Sequence, residues 1–194
     1  IALIAYRREV AWKVFWILLP GAMVGTLVAF SLSAVVSEAM VRLAIGLITL
    51  AFVLYAWLPL RKKLEGLPPS RPWGTFWGSV AGFTSFVSHT GGPPVQIYML
   101  PMRLPPALFA GTNAVFFAVI NASKIPFYFV LGQLSLANMQ AALYLAPAAI
   151  AGMVLGVFLV RRIDAGLFYR VAYILIFLLS LKLIYDGLAG LFFA

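Results

Sequence analysis

The stretch Ser88–Pro94, "SHTGGPP", decides the fold. It lies inside Pro72–Met102, a run with no Asp, Glu, Lys or Arg. Gly and Pro are the poorest helix formers, and here each occurs twice beside the single histidine of the chain. Lipid offers no hydrogen bonds, so unwound backbone at membrane depth survives only when buried in protein or lining a wet cavity. The stretch therefore reads as the break in a broken helix.

Composition sets the surroundings. Of 194 residues, 64% are hydrophobic and 10% charged, which is the balance of an integral membrane protein. The absence of cysteine excludes a disulfide framework and a cysteine-ligated metal. The formal charge of +9 sits in short loops between apolar spans, where it sets orientation rather than binding nucleic acid. Long uncharged spans cover 14–33 and 43–60, each long enough to cross about 30 Å of hydrocarbon. Three further apolar spans, carrying a few charges, cover 104–131, 136–160 and 165–193, joined by "GQLS" at 132–135 and "RRIDAG" at 161–166. The polar, Pro-rich segment 61–73 is a linker and a natural midpoint. The opening "IALIAYRREV" reads as the last turn of a helix that begins upstream.

Charge decides how often 72–101 crosses. With Arg7, Arg8 and Lys13 on one side, two spans return the chain there with Arg61, Lys62, Lys63 and Arg71. A single crossing by 72–101 would then put Arg103, Arg161, Arg162 and Arg170 opposite and nearly erase the bias. A segment that dips in and returns keeps them on the basic side, leaving Arg42 and Lys124 nearer the other face. The positive-inside rule favours the second arrangement. It makes the loops at Arg61–Arg71, Arg103 and Arg161–Arg170 cytoplasmic, and Gly132–Ser135 and Ala194 periplasmic. Trp12, Trp57, Trp73 and Trp77 gather at the basic interface as an aromatic belt.

The hairpin then has an ingoing half-helix over 74–88, a tip at 89–92 and a short outgoing helix over 93–101. Proline suits a first helical turn, where its missing N–H had no intrahelical partner. Pro93 and Pro94 thus start the outgoing helix, whose free amides and positive dipole end face the tip. That is an anion site. A repeat points the same way: "LLPGAMVGTLVAF" from Leu18 matches "LAPAAIAGMVLGVF" from Leu145 at a shift of 127. It pairs Pro20 with Pro147 and Gly25 with Gly152, on helices that start at opposite faces by the charge count. Inverted repeats with broken helices near the midplane mark secondary transporters. The expected fold is an all-α integral membrane protein with an inverted-topology repeat, about five full spans and one re-entrant hairpin. The first repeat ends at 60, the cytoplasmic linker is 61–73, and the second repeat is 74–194.

"GSVAGFTSFVSHTGGPPVQIYMLP" at Gly78–Pro101 and "AGTNAVFFAVINASKIPFYFVLGQLS" at Ala110–Ser135 resemble the second half of a sulfite exporter of the TauE/SafE family. "YRREVAWKVFWILLPGAMVGTLVAF" at Tyr6–Phe30 resembles the end of the first half. The family's first Gly-rich motif is expected upstream of Arg7. The resemblance implies a multi-pass permease of a bacterial or archaeal inner membrane, moving sulfite, organosulfonates or related small anions.

Candidate substrate ligands are Ser88, His89, Thr90, Gly91, Gly92, Gln96, Asn113, Asn121 and Lys124. His89 reads either as an anion or proton ligand, since histidine changes charge near neutral pH, or as a neutral partner of unwound backbone. Gln96 lies one turn into the outgoing helix and faces either the tip or a neighbouring helix. Asn113 and Lys124, eleven residues apart, fall on one helix face. Lys124 either supplies positive charge or snorkels to the interface, beside Pro126, which removes a hydrogen bond to the Ala122 carbonyl. The "NAS" at Asn121–Ser123 sits in an apolar helix and is a false glycosylation signal. Gly91 and Gly92 are read as positive-φ residues whose missing side chains let amides approach a ligand. No Walker or His-Glu-x-x-His motif occurs, and the acidic residues are scattered. No cofactor or metal is expected. The partners are the small anion and membrane lipid, with a homodimer left open. An intramembrane enzyme using His89 as base and a non-transporting scaffold are the alternatives to a secondary transporter.

Overall fold

A computed structural model describes residues 2–6, 8–58, 66–131 and 136–192. The parts of the linker and loops at 59–65, 132–135 and 193–194 lie outside them. The elements are α1 (Ala2–Ala5), α2 (Trp12–Ser31), α3 (Glu38–Trp57), α4 (Arg71–Ser88), α5 (Gly92–Met99), α6 (Pro106–Val130), α7 (Leu136–Arg162) and α8 (Ala165–Phe192). A 3₁₀ turn, Leu100–Met102, follows α5. Among the described residues there is no strand, and five helices (α2, α3, α6, α7 and α8) are long and apolar enough to cross a membrane.

Local chemistry sets the boundaries. Ser37 caps α3 by accepting from the Met40 amide, with Glu38 in the first turn where the dipole favours it. The Asp164 carboxylate accepts from the Leu167 amide at 2.9 Å and starts α8. Pro72 and Pro106 occupy first turns of α4 and α6. α4 therefore starts at Arg71, earlier than the glycine at 74 suggested.

The bundle is built on backbone contact. α2 and α4 run parallel, and glycines at Gly21, Gly25, Gly74, Gly78 and Gly82 occupy the seam. A methyl group on Gly25 would lie 1.9 Å from the Ser79 carbonyl oxygen, and one on Gly78 2.2 Å from that of Leu18. Only hydrogen fits there, which is the small-residue packing of membrane helices. α3 and α8 pack antiparallel in the same manner, with Gly187 against Leu43 and Gly46 against Ile184. α7 is different: between Leu143 and Arg162 none of its residues is buried. The matched glycines of the sequence repeat accordingly sit in unlike places, since Gly152 has nothing within 4 Å.

Several contacts gather one end of the bundle. The Tyr98 hydroxyl donates to the Ser70 carbonyl at 3.0 Å, and the Gly66 amide to that of Pro101 at 2.8 Å. The Tyr169 hydroxyl donates to Leu104 at 2.7 Å, while the Arg103 guanidinium lies 4.6 Å from the Tyr169 ring centre. Arg161 donates to Ala5 at 2.7 Å, and the Ala11 amide donates to the Thr112 hydroxyl at 2.9 Å. Lys13, Arg71, Arg103 and Arg161 thus share this basic end. The outer ends of α4 and α5 are tied together there, so the two helices form a hairpin.

Candidate functional site

The break between α4 and α5 is closed by His89, whose φ of 57° is left-handed. Gly91 has φ −70°, and Gly66 is the positive-φ glycine among the described residues. The left-handed turn expected of the glycines is made by the histidine. α5 starts at Gly92, with Pro93 and Pro94 in its first turn. The prolines carry no N–H, so the amides of Gly91 and Gly92 are the ones at this helix start left without an intrahelical acceptor.

The two glycines also differ from each other. A methyl on Gly91 would lie 2.6 Å from Ser85 Cβ and 2.8 Å from the Ala81 carbonyl oxygen. On Gly92 it would meet only the Gln96 amide nitrogen, at 4.0 Å. Gly91 is therefore required for packing against α4, which corrects the expectation that both glycines leave their side-chain space to a ligand. Gly92 does face open space, with Gln96 alongside.

The end of α4 is capped from within. The Thr84 carbonyl accepts the amides of His89 and Thr90 and the Ser88 hydroxyl, the last at 3.2 Å. Ser88 and Thr90 share a 2.6 Å hydroxyl contact. The Thr90 amide is thus already used inside the protein.

Lys124 reaches this end from α6. It is 2% exposed, which overturns the snorkelling alternative. Its ammonium donates to the Ser85 carbonyl at 2.8 Å, to the Ser85 hydroxyl at 2.7 Å and to Asn121 Oδ1 at 3.1 Å. Those three acceptors match its three donors, and all are neutral. The α4 terminus favours a nearby cation through its dipole, but among the described residues no carboxylate pairs with it. Beside it the Tyr128 hydroxyl is buried without a hydrogen-bond partner. The Tyr128 ring stacks on Phe86 at 5.4 Å and lies parallel to His89, 6.3 Å away.

The structure thus brings together Ser88, His89, Thr90, Gly91, Gly92, Gln96, Asn121 and Lys124. Asn113 stays apart. It lies about 16 Å before Lys124 along α6, and donates to the Phe109 carbonyl at 3.0 Å and the Met99 sulfur at 3.8 Å. It also lines a cavity of about 380 Å³ with Met153 and Gly156 of α7. Ser85, Thr84 and Tyr128 are site residues the sequence reading missed. Thr84, Ser85 and Ser88 form a hydroxyl cluster ahead of the break, a visible signal; nothing in the sequence marks Tyr128. Phe86 contacts Phe30, next to the last residue of α2, at 6.2 Å between ring centres. The tip therefore lies about 27 Å along α4, at the end of the bundle opposite Ser70.

Five long apolar helices around a broken helical hairpin define a multi-pass membrane protein. The family model described as Sulfite exporter TauE/SafE matches residues 1–183, and the chain belongs to this family of membrane transporters. No curated protein and no solved structure matches it.

Proposed function

We propose that the protein is a secondary transporter, not an enzyme, that carries a small oxyanion such as sulfite or an organosulfonate by alternating access. Its membrane is the inner membrane of a bacterium or archaeon. The observation that carries this reading is Lys124: a buried cation whose partners are all neutral oxygens. Taking an ammonium out of water costs several kcal/mol, and neutral acceptors recover only part of it. An anion at the tip recovers more.

In this reading 74–194 is the second of two inverted repeats, joined to the first by the 61–73 linker, and the hairpin is re-entrant from the cytoplasm. Gly91 and Gly92 amides, Gln96 and the Ser88–Thr90 hydroxyls coordinate the oxyanion. Lys124 supplies the charge from behind, and the Tyr128 hydroxyl donates the hydrogen bond for which it has no acceptor within the protein. His89, exposed beside them, is positioned to exchange protons with water. Asn113 belongs to the wall below rather than to the shell.

Counterflow of radiolabelled sulfite in proteoliposomes tests the reading. The expected result is saturable exchange in the wild type and little in Lys124→Met at equal reconstitution. Equal exchange in both would remove Lys124 from the mechanism; none in the wild type with any small oxyanion would reject transport itself.

A further inference from the structure

A second charged feature lies far from the tip. Between the first turns of α2 and α4, Lys13, Trp16, Ile17, Pro20, Arg71 and Thr75 line a groove of about 310 Å³. Among the described residues, ion pairs join Arg42 to Glu38, Arg161 to Glu9 and Lys182 to Asp186. Among the described residues the Lys13 and Arg71 side chains take part in none of these pairs. Both side chains line the groove, which therefore offers two positive charges to one anion.

The groove is graded along its length. Its mouth is cationic, whereas Trp16, Ile17 and Pro20 continue from Lys13 into the apolar span. Trp16 is 61% exposed, and Trp12 and Trp73 stand exposed at the same end. Exposed tryptophans of this kind mark the headgroup level of a bilayer. A free inorganic anion needs only the cations; a molecule with a charged head and a long apolar tail uses the whole groove.

We propose that this groove binds the phosphate headgroup of an anionic glycerophospholipid, with Lys13 and Arg71 on the phosphate and the acyl chain running along Trp16, Ile17 and Pro20. The parallel α2–α4 pair forms the floor, held by its glycine seam, so the site is preformed.

Native mass spectrometry of the detergent-purified protein tests this, with dioleoyl phosphatidylglycerol, dioleoyl phosphatidylcholine and inorganic phosphate as separate probes. The wild type is expected to retain phosphatidylglycerol over phosphatidylcholine. A basic residue at an anionic lipid surface contributes enough for roughly five-fold loss in Lys13→Gln or Arg71→Gln, and roughly thirty-fold in the double variant. Arg170→Gln, a cation exposed elsewhere on the chain, should behave as wild type. All these side chains are exposed, and unchanged melting temperatures check that folding is intact. Equal phosphatidylglycerol retention by wild type and double variant overturns the proposal. So does a lack of preference between the lipids while inorganic phosphate adducts depend on Lys13 and Arg71, which would assign the groove to a free anion.

Discussion

Substituting Gly91 and Gly92 one at a time separates packing from binding within two adjacent residues. A methyl on Gly91 meets Ser85 Cβ at 2.6 Å and the Ala81 carbonyl at 2.8 Å, both inside ordinary contact and both fixed to α4. Neither neighbour is the free end of a flexible side chain, so α5 must move away from α4. Overpacking of this kind costs about 1–3 kcal/mol. Ser85 is also the residue that Lys124 holds through two oxygens, at 2.7 and 2.8 Å, so the displacement disturbs the buried ammonium as well. For a chain of this length about 1 kcal/mol moves the melting temperature by about 2–4 °C. Gly91→Ala should therefore melt roughly 2–12 °C lower in detergent. Gly92→Ala has open space, its methyl meeting only Gln96 at 4.0 Å, and should melt like wild type while losing anion flux per folded molecule. Fluorescence melting and proteoliposome flux on the same preparations decide it. Normal melting of Gly91→Ala together with a destabilised Gly92→Ala would refute the assignment of the two faces.

Lys124→Met should lower apparent anion affinity by about 100-fold or more, the scale of leaving one partner of a buried charge pair alone; equilibrium binding to detergent-solubilised protein reads it. Tyr128→Phe removes a hydroxyl that has no partner within the protein, so its melting temperature should be unchanged or slightly raised while anion binding weakens; a clear loss of stability would show that the hydroxyl is structural. His89→Ala should leave protein levels intact, because the side chain is exposed, and should flatten the flux profile between about pH 5 and 8, where histidine charge changes; an unaltered profile removes His89 from coupling. A single cysteine at Arg103 in this cysteine-free chain should label from the cytoplasmic side; labelling from outside only would sink the re-entrant topology.

Spans were legible because lipid imposes one requirement, a sustained apolar run, and the sequence meets it with few interruptions. Length and hydropathy placed α2, α3, α6, α7 and α8 within a few residues. The break was legible for a related reason: two prolines in succession cannot continue a helix, and His-Thr-Gly-Gly before them offers nothing to keep one. Depth was not. It depends on which residue of α2 stands beside which residue of α4, and the contact of Phe30 with Phe86 fixes that register through the glycine seam. The seam itself had a readable signature, the four-residue spacing of Gly21 with Gly25 and of Gly74, Gly78 and Gly82.

Lys124 shows why a site residue can be found while its environment is not. A lysine well inside an apolar helix announces itself by charge alone, and helical periodicity reads it on the same face as Asn113. Periodicity fixes angle and rise within one helix, however, and says nothing about the partner across the gap. That partner is the last turn of α4, whose carbonyls are free because the helix stops at Ser88. The break therefore has two consequences at once. It exposes amides at the start of α5, and it creates at the end of α4 an acceptor set able to hold an ammonium group without a carboxylate. A carboxylate in that place would neutralise the cation; carbonyl and hydroxyl oxygens satisfy its geometry and leave its charge. The same interruption that makes the segment a poor membrane helix is what keeps a positive charge buried beside free amides, and that combination suits an anion.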